Sequence, residues 1–351
     1  MNLKSEVITM KIGILTGGGD CPGLNAIIEA VVKRANDYGY DVLGFLRGYA
    51  GLINGEWKHL SPNDVDGISL TGGTILGTSR VNPFKREGGP QKVMENIKRC
   101  GVEAMIIIGG DDTLGAAYRL YEMGLPVVGV PKTIDNDVSE TDYSVGFLTA
   151  IETISNSIEK LHTTAKSHER VIVVEIMGRY AGWLTLFGGL AGGAHIILVP
   201  EKPFKIEEVC EVILEREKKG KRYTIVAVAE GAKPENVEDF ITVSKERDEF
   251  GHVRLGGIAK LLEKEIAERT GKETRSVVLG HIQRGGAPCA FDKIFGIRLG
   301  FHAVDLVKEG KFGYMVCLKG TKIVAVKMES ALKQKKLDEE MMQLINFFNK
   351  T

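Results

Sequence analysis

Apolar, β-branched runs alternate with amphipathic helical stretches along almost the whole chain, and this alternation narrows the fold sharply. Lys11–Leu15, Asp41–Phe45, Val102–Ile108, Val127–Val130, Val171–Ile176, His195–Val199 and Thr224–Ala229 read as strands. Helical patterns cover about Pro22–Tyr38, Leu114–Met123, Ile206–Lys219 and Leu255–Arg269. Strands this apolar must be covered on both faces, and helices between them make the sheets parallel. Tyr314–Val326, broken at Lys319-Gly320-Thr321, predicts a hairpin, and the charged stretch Leu332–Lys350 predicts a surface helix. Met1–Thr9 precede the first strand as a short extension, with Met10 an alternative start.

A chain of 351 residues suits two α/β lobes or one large one. Its 46 basic and 46 acidic residues cancel, so no global field draws it to nucleic acid or an anionic membrane. Any phosphate site must therefore be local. The 43 glycines cluster at strand ends, where backbone approaches a ligand closely. Five scattered cysteines without a CxxC pair fit a reduced, cytoplasmic protein. No apolar stretch reaches membrane-span length, and the N-terminus lacks a signal-peptide core.

Two strings carry the chemistry. Gly109-Gly110-Asp111-Asp112-Thr113 follows the apolar run Ala104–Ile108 and opens a helical stretch. Pro131-Lys132-Thr133-Ile134-Asp135-Asn136-Asp137 follows Val127–Val130. Strand, glycine turn, helix is how open α/β sheets present N–H groups to phosphate. Closely spaced carboxylates then supply a metal ligand, a base and a means of choosing the donor, as phosphoryl transfer requires. Each motif alone also has a plainer reading. Asp111 can simply cap its helix, the Asp135–Asp137 segment can be an Asx-rich turn, and Gly17-Gly18-Gly19-Asp20 can be an ordinary βα turn.

Together, however, these strings resemble the phosphofructokinases. The resemblance runs from about Met10 to about Met328. It includes Asp20-Cys21-Pro22-Gly23-Leu24-Asn25-Ala26, the loop Gly72–Arg80, Ser167-His168-Glu169-Arg170, Met177-Gly178-Arg179, Ala229-Glu230-Gly231, Thr274-Arg275 and His281-Ile282-Gln283-Arg284-Gly285-Gly286. It implies an α/β fold of two interleaved Rossmann-like lobes, their mainly parallel sheets covered by helices on both faces. One lobe of about 10–146 is completed by about 283–331. It encloses a smaller lobe of about 147–282, and 332–351 form a helical tail. On the donor side the resemblance gives phosphate contacts to Gly18, Gly19, Thr113 and Lys132. Arg80 becomes a clamp on the transferred group and Asp111 the ligand of a bridging Mg²⁺.

Asp112 and Lys132 stand where ATP-using bacterial members usually carry glycine, and this pairing resembles the members that use inorganic pyrophosphate. A carboxylate there tolerates the free end of pyrophosphate but repels the α-phosphate of ATP. At about 4 Å and an effective dielectric of about 20, two like charges cost on the order of 4 kcal/mol, about a thousandfold in affinity. Lys132 offsets part of that charge while reaching phosphate as a mobile cation. Some ATP-using relatives share this lysine, so Asp112 bears more of the argument.

On the acceptor side the resemblance makes Asp135 the base that takes the 1-hydroxyl proton of fructose 6-phosphate. Thr133 contacts the transferred phosphoryl, and Asp137 the sugar or the metal shell. Met177, Gly178, Arg179, Glu230, His281 and Arg284 hold the sugar phosphate, while Arg170 and Arg275 reach across from a neighbouring subunit. A homodimer or homotetramer follows from that sharing. Glu29, Lys33 and Trp57 replace the arginines of an effector site, and His195 a carboxylate, which argues against nucleotide regulation. The implied reaction is a reversible phosphoryl transfer from pyrophosphate that yields fructose 1,6-bisphosphate and phosphate. An ATP donor, sedoheptulose 7-phosphate as acceptor, and a non-catalytic sugar-phosphate sensor are the rival readings. Loss of Asp111 or Asp135 would mark a sensor, and both are present.

Overall fold

Buried aliphatic residues build two parallel sheets in separate parts of the chain. The computed structural model describes residues 10–235, 237 and 240–349, with 243–247, 254 and 331 described by backbone alone. The expected extension Met1–Thr9 and the last residue of the expected tail helix, Lys350, lie outside the described residues.

In chain order the first elements are β1 (Lys11–Thr16), α1 (Leu24–Asp37), β2 (Asp41–Phe45), α2 (Tyr49–Asn54), β3 (Trp57–Leu60), α3 (Gly89–Cys100), β4 (Ala104–Gly109), α4 (Asp111–Glu122) and β5 (Val127–Pro131). Next come α5 (Phe147–Ser167), β6 (Val171–Ile176), α6 (Trp183–Ala191), β7 (Ile196–Leu198), α7 (Ile206–Lys218) and β8 (Thr224–Ala229). The chain ends with β9 (Thr242–Arg247), β10 (Val253–Leu255), α8 (Ile258–Thr270), β11 (Thr274–Val278), α9 (Ala290–Lys308), β12 (Tyr314–Lys319), β13 (Lys322–Lys327) and α10 (Glu339–Phe348).

The chain divides into two compact units. The first holds residues up to Thr133, Val138–Gly146 and Gly286–Gln334. The second holds Ile134–Asp137, Phe147–Gly285 and the chain from Lys335 onward. The first unit's sheet has the order β13-β12-β5-β4-β1-β2-β3, parallel except for its two edge strands. Leu15, Met105 and Ile107 bury one face of it against Leu52, Val93, Ile97 and Leu120 of α2, α3 and α4. The second unit's sheet, β11-β6-β8-β7, is wholly parallel. Val171, Val173, Val226 and Val228 pack there against Ile213 of α7 and Leu262 and Ile266 of α8. These are the parallel, helix-covered sheets that the apolar runs imply.

Three local features differ from the sequence reading. The helix that follows the loop after Val127–Val130, α5, is 21 residues long, and its bounds are not readable from the sequence, because its many Thr and Ser residues blur the apolar period. Those hydroxyls turn back onto the preceding turn: Thr153 Oγ1 donates to the Thr149 carbonyl at 3.1 Å, and Ser157 Oγ to that of Thr153 at 2.7 Å. The helix expected from Leu255 starts at Ile258, since Leu255 closes β10 and Gly257 enters α8 in a left-handed conformation (φ 97°). In the tail, helix begins only at Glu339, where Asp338 caps it by accepting from the Met341 N–H at 2.9 Å.

Candidate active site

In the first unit the chain leaves β1 for β2 on one side and reaches β4 on the other, so the sheet changes direction between β1 and β4. Ligands of open α/β sheets bind at such a point, beyond the carboxyl ends of the strands. The glycine loops after β1 and β4 meet there, with the Gly17 N–H donating to the Ile108 carbonyl at 2.9 Å. The loop Gly72–Arg80 is tied on by Gly18, whose N–H donates to the Ser79 carbonyl at 3.0 Å. In return, Thr78 Oγ1 donates to the Gly18 carbonyl at 2.6 Å. Asn25, buried on α1, holds the same loop: its Nδ2 donates to the Gly72 carbonyl at 3.2 Å and its Oδ1 accepts from the Ile75 N–H at 2.9 Å.

Thr113 explains why this cradle needs glycine. The residue is 2% exposed, and a Cβ on Gly109 or Gly17 would lie 2.3 or 2.7 Å from its side chain. Tyr49, itself buried, donates its hydroxyl to the Thr113 carbonyl at 2.8 Å and braces the first turn of α4 from below. Burial pushes that phenol well above its ordinary pKa, so it remains a donor. Asp111 and Asp112 occupy the same first turn, after the N-cap Gly110, which has no side chain to cap the helix. The N–H groups of that turn are oriented for anions. Tyr49, Thr78 and Asn25 were not anticipated as supports of the cradle. Asn25 left the clearest trace, as a polar residue inside the apolar pattern of α1.

Two donor-side residues are held by contacts within the protein itself. Lys132 is not a mobile cation: it is 2% exposed, with its ammonium docked on the Gly19 carbonyl at 2.5 Å. Its backbone N–H meets the Gly109 carbonyl at 2.9 Å, so it joins the loops after β1, β4 and β5. The N–H of Gly18 is committed to Ser79, which makes Gly18 a structural member of the cradle. Arg80 lies exposed at the end of its loop. Thr133 is buried, and its carbonyl accepts from Ser144 Oγ at 2.7 Å.

The chain passes into the second unit at Ile134, and the next three residues form a buried turn. Asp135 is 4% exposed, and Asn136 takes the left-handed conformation (φ 52°) that Asn tolerates better than most residues. In the second sheet, Met177, Gly178 and Arg179 follow β6, Glu230 follows β8, and His281 and Arg284 lie on a 3₁₀ turn after β11. They therefore gather at one end of three neighbouring strands. Glu230 Oε1 accepts the N–H groups of Gly178 at 3.3 Å and Arg179 at 3.0 Å. Desolvation pushes the Glu230 carboxyl up to about 7; the two N–H groups oppose this and the Asp135 charge adds to it. Arg179 is left-handed (φ 50°), and a Cβ on Gly231 would lie 2.0 Å from its carbonyl oxygen. Arg284 is buried, whereas His281 is exposed.

Arg170 and Arg275 lie elsewhere. Arg170 precedes β6 and Arg275 is the second residue of β11, so both sit at the opposite end of the sheet from Glu230. Glu273 holds them together, 3.0 Å from Arg170 and 2.8 Å from Arg275. Strands of five or six residues separate the two ends by about 17–20 Å.

At the expected effector positions, Glu29 accepts from the Ser69 N–H at 2.9 Å and pairs with Lys33 at 2.6 Å. Desolvation opposes its charge, but these partners hold its carboxyl below the ordinary range. His195 Nδ1 accepts the Ile225 N–H at 2.9 Å, and burial, with the nearby Arg216, lowers its pKa to about 3. It is a neutral structural histidine.

Among the described residues, no group of three or more His, Cys, Asp or Glu side chains forms a metal cage. Mg²⁺ needs only one or two carboxylates when phosphate and water complete its shell. Asp111 and Asp112 beside the glycine cradle fit that donor set.

Fold and cradle together define a doubly wound α/β protein whose glycine-rich loops meet at its sheet reversal. A phosphofructokinase family model matches residues 11–307, and the chain belongs to that family of enzymes. It is 53% identical over 323 residues to a pyrophosphate–fructose 6-phosphate 1-phosphotransferase of Amycolatopsis methanolica, covering 92% of this chain and 94% of the relative. It is also 48% identical over 329 residues to ATP-dependent 6-phosphofructokinase 3 of Streptomyces coelicolor, covering 93% and 96%. The phosphofructokinase of Saccharomyces cerevisiae superposes with a TM-score of 0.80 at 30% identity. That match covers 97% of this chain, which spans about half (47%) of the yeast chain. No helix among the described residues is long and apolar enough to cross a membrane.

Proposed function

We propose that this protein transfers a phosphoryl group from pyrophosphate to the 1-hydroxyl of fructose 6-phosphate, reversibly, as a step of glycolysis and gluconeogenesis in the cytoplasm. The observation that carries the donor assignment is Asp112 beside Asp111 in the first turn of α4. Relatives of similar identity are named for either donor, so family membership alone does not choose between them. Asp112 favours pyrophosphate, because its charge stands against a nucleotide's α-phosphate but not against a short, freely hydrated pyrophosphate.

In this reading Asp111 holds Mg²⁺, which neutralises charge on the donor. The Gly19 N–H and the first turn of α4 bind the donor phosphates, and Arg80 draws charge from the transferred group. Thr113 and Lys132 act from beneath by fixing the loops. Asp135 accepts the hydroxyl proton of the sugar while Thr133 and Asp137 orient the reacting groups. Glu230 receives sugar hydroxyls, and Arg179, Arg284 and His281 bind toward the 6-phosphate with Met177 and Gly178 lining the sugar. Arg170 and Arg275, displaced along the sheet, serve the corresponding site of a second copy in a homodimer or homotetramer.

Initial rates with fructose 6-phosphate and Mg²⁺ test the donor. Pyrophosphate should outrun ATP at equal concentration by at least about a hundredfold. Asp112→Gly should weaken pyrophosphate use. Comparable activity with ATP, or unchanged pyrophosphate kinetics in the variant, would remove the donor assignment while leaving the family chemistry in place.

A further inference from the structure

The C-terminal tail has no part in the reading above, yet it makes contact beside its most important residue. The Lys335 N–H donates to the Asp137 carbonyl at 2.7 Å, two residues from Asp135. The Lys335 carbonyl accepts the indole N–H of Trp183 at 3.2 Å, and its ammonium lies 4.8 Å from the centre of that ring. Two residues on, the Leu337 N–H donates to Glu201 Oε1 at 3.2 Å, and the same oxygen accepts the Gly182 N–H at 3.0 Å. The start of α6 and the tail are thus clamped by one carboxylate.

The far end of the tail is fixed as well. Asn349 pairs with the exposed edge of β7 as another strand would: its Oδ1 accepts the Ile197 N–H at 2.8 Å and its Nδ2 donates to the Ile197 carbonyl at 2.9 Å. Lys202 Nζ donates to Asn346 Oδ1 at 2.6 Å, and Ile345 is buried. With α10 anchored there, residues 335–337 run between two fixed ends.

The turn they reach needs holding. A buried left-handed Asn136 persists only where surrounding contacts over-determine it. We propose that residues 335–337 are a positioning strap for the Asp135–Asp137 turn, with the Lys335 N–H as its working contact and Trp183 and Glu201 as its anchors. This rests on Asp135 being the base. The strap touches no substrate; it holds the main chain from which the Asp135 carboxylate projects.

Because the contact is made by main chain, side-chain and backbone changes at one position separate the possibilities. Lys335→Ala keeps the N–H, whereas Lys335→Pro deletes it. The preceding Gln334, extended in its bridge with Val138, meets the requirement that a proline places on its predecessor. Lys335→Pro should lower kcat about 10-fold with KM for fructose 6-phosphate within about 2-fold, the pattern of a misplaced reacting group. Lys335→Ala should stay within about 2-fold in both, and Trp183→Phe should lower kcat about 3-fold. In the unmodified protein, the Lys335 amide should exchange hydrogen as slowly as amides inside the second sheet. Unchanged kcat in Lys335→Pro, or a loss confined to KM, overturns the strap. If that variant does not fold, an unchanged kcat in Trp183→Phe or a fast-exchanging Lys335 amide overturns it equally. A parent protein that transfers no phosphoryl group would instead overturn the underlying function.

Discussion

The cradle of the first unit and the strand-end cluster of the second are built from different materials. The cradle is mostly main chain: four loops joined by backbone hydrogen bonds, with Thr113, Tyr49, Asn25 and Lys132 as buried struts. The second unit's cluster, the proposed acceptor site, is mostly side chains, with Asp135, Glu230, Arg179 and Arg284 each belonging to a different segment. A phosphate chain looks alike in every donor and can be held by repeated N–H groups. A sugar phosphate must be distinguished hydroxyl by hydroxyl, which takes individual side chains. The two regions should therefore respond differently to single substitutions.

The largest effect is expected at Asp135. Asp135→Ala should lower kcat by about 10²–10⁴ while leaving the KM for donor nearly unchanged. Thr78→Ala, which removes one hydrogen bond from the cradle, should cost about 1 kcal/mol, less than 10-fold in kcat/KM for donor. Steady-state kinetics of the two variants side by side would break the comparison if Thr78→Ala were the more damaging.

Arg275 sharpens it, because the proposed function gives this residue to the cluster of a second copy. Arg275→Ala should raise KM for fructose 6-phosphate by about 10–100-fold, the worth of a charge-assisted hydrogen bond. Mixed after unfolding and refolding together, Arg275→Ala and Asp135→Ala chains should show, at fructose 6-phosphate well below the raised KM, more activity than either alone. In such a hybrid, one site has its own Asp135 and the other copy's Arg275. If no activity is recovered, the two arginines have no role across subunits.

These same differences governed what the sequence could disclose. The parallel sheets were legible from β-branched runs such as Ala104–Ile108, whose burial on both faces leaves no polar phase to confuse. Positions of Asp111, Asp135 and Glu230 at strand ends followed from the same pattern. The supports were not legible: Tyr49 and Thr78 act across more than forty residues, and no local periodicity marks such a contact. Lys132 is held by a contact of the same kind. Its ammonium donates to a carbonyl of a loop more than a hundred residues earlier, which no reading of neighbouring residues would reveal. In α5, hydroxyl side chains blurred the ends of the helix by satisfying themselves on its own backbone.

The smallest expected effect concerns Glu230, where side-chain construction leaves a mark on stability. Its carboxyl is raised from 4.5 to about 7, chiefly by desolvation. The folded protein thus holds this proton more tightly than the unfolded chain. The resulting stabilisation is fully present below about pH 4.5 and is lost as pH rises through about 7. Glu230→Gln keeps an oxygen able to accept the Gly178 and Arg179 N–H groups but removes the titration. Thermal melts from pH 5 to 8 should show the parent losing a few degrees relative to the variant as pH rises, on the order of 2–4 °C. In an Asp135→Asn background the parent's step should move to lower pH, because the Asp135 charge contributes to the shift. A Tm difference that stays flat across that range would mean that Glu230 is as well solvated as the carboxylates at the surface, and the acceptor cluster would lose its claim to be a desolvated, side-chain-built counterpart of the cradle.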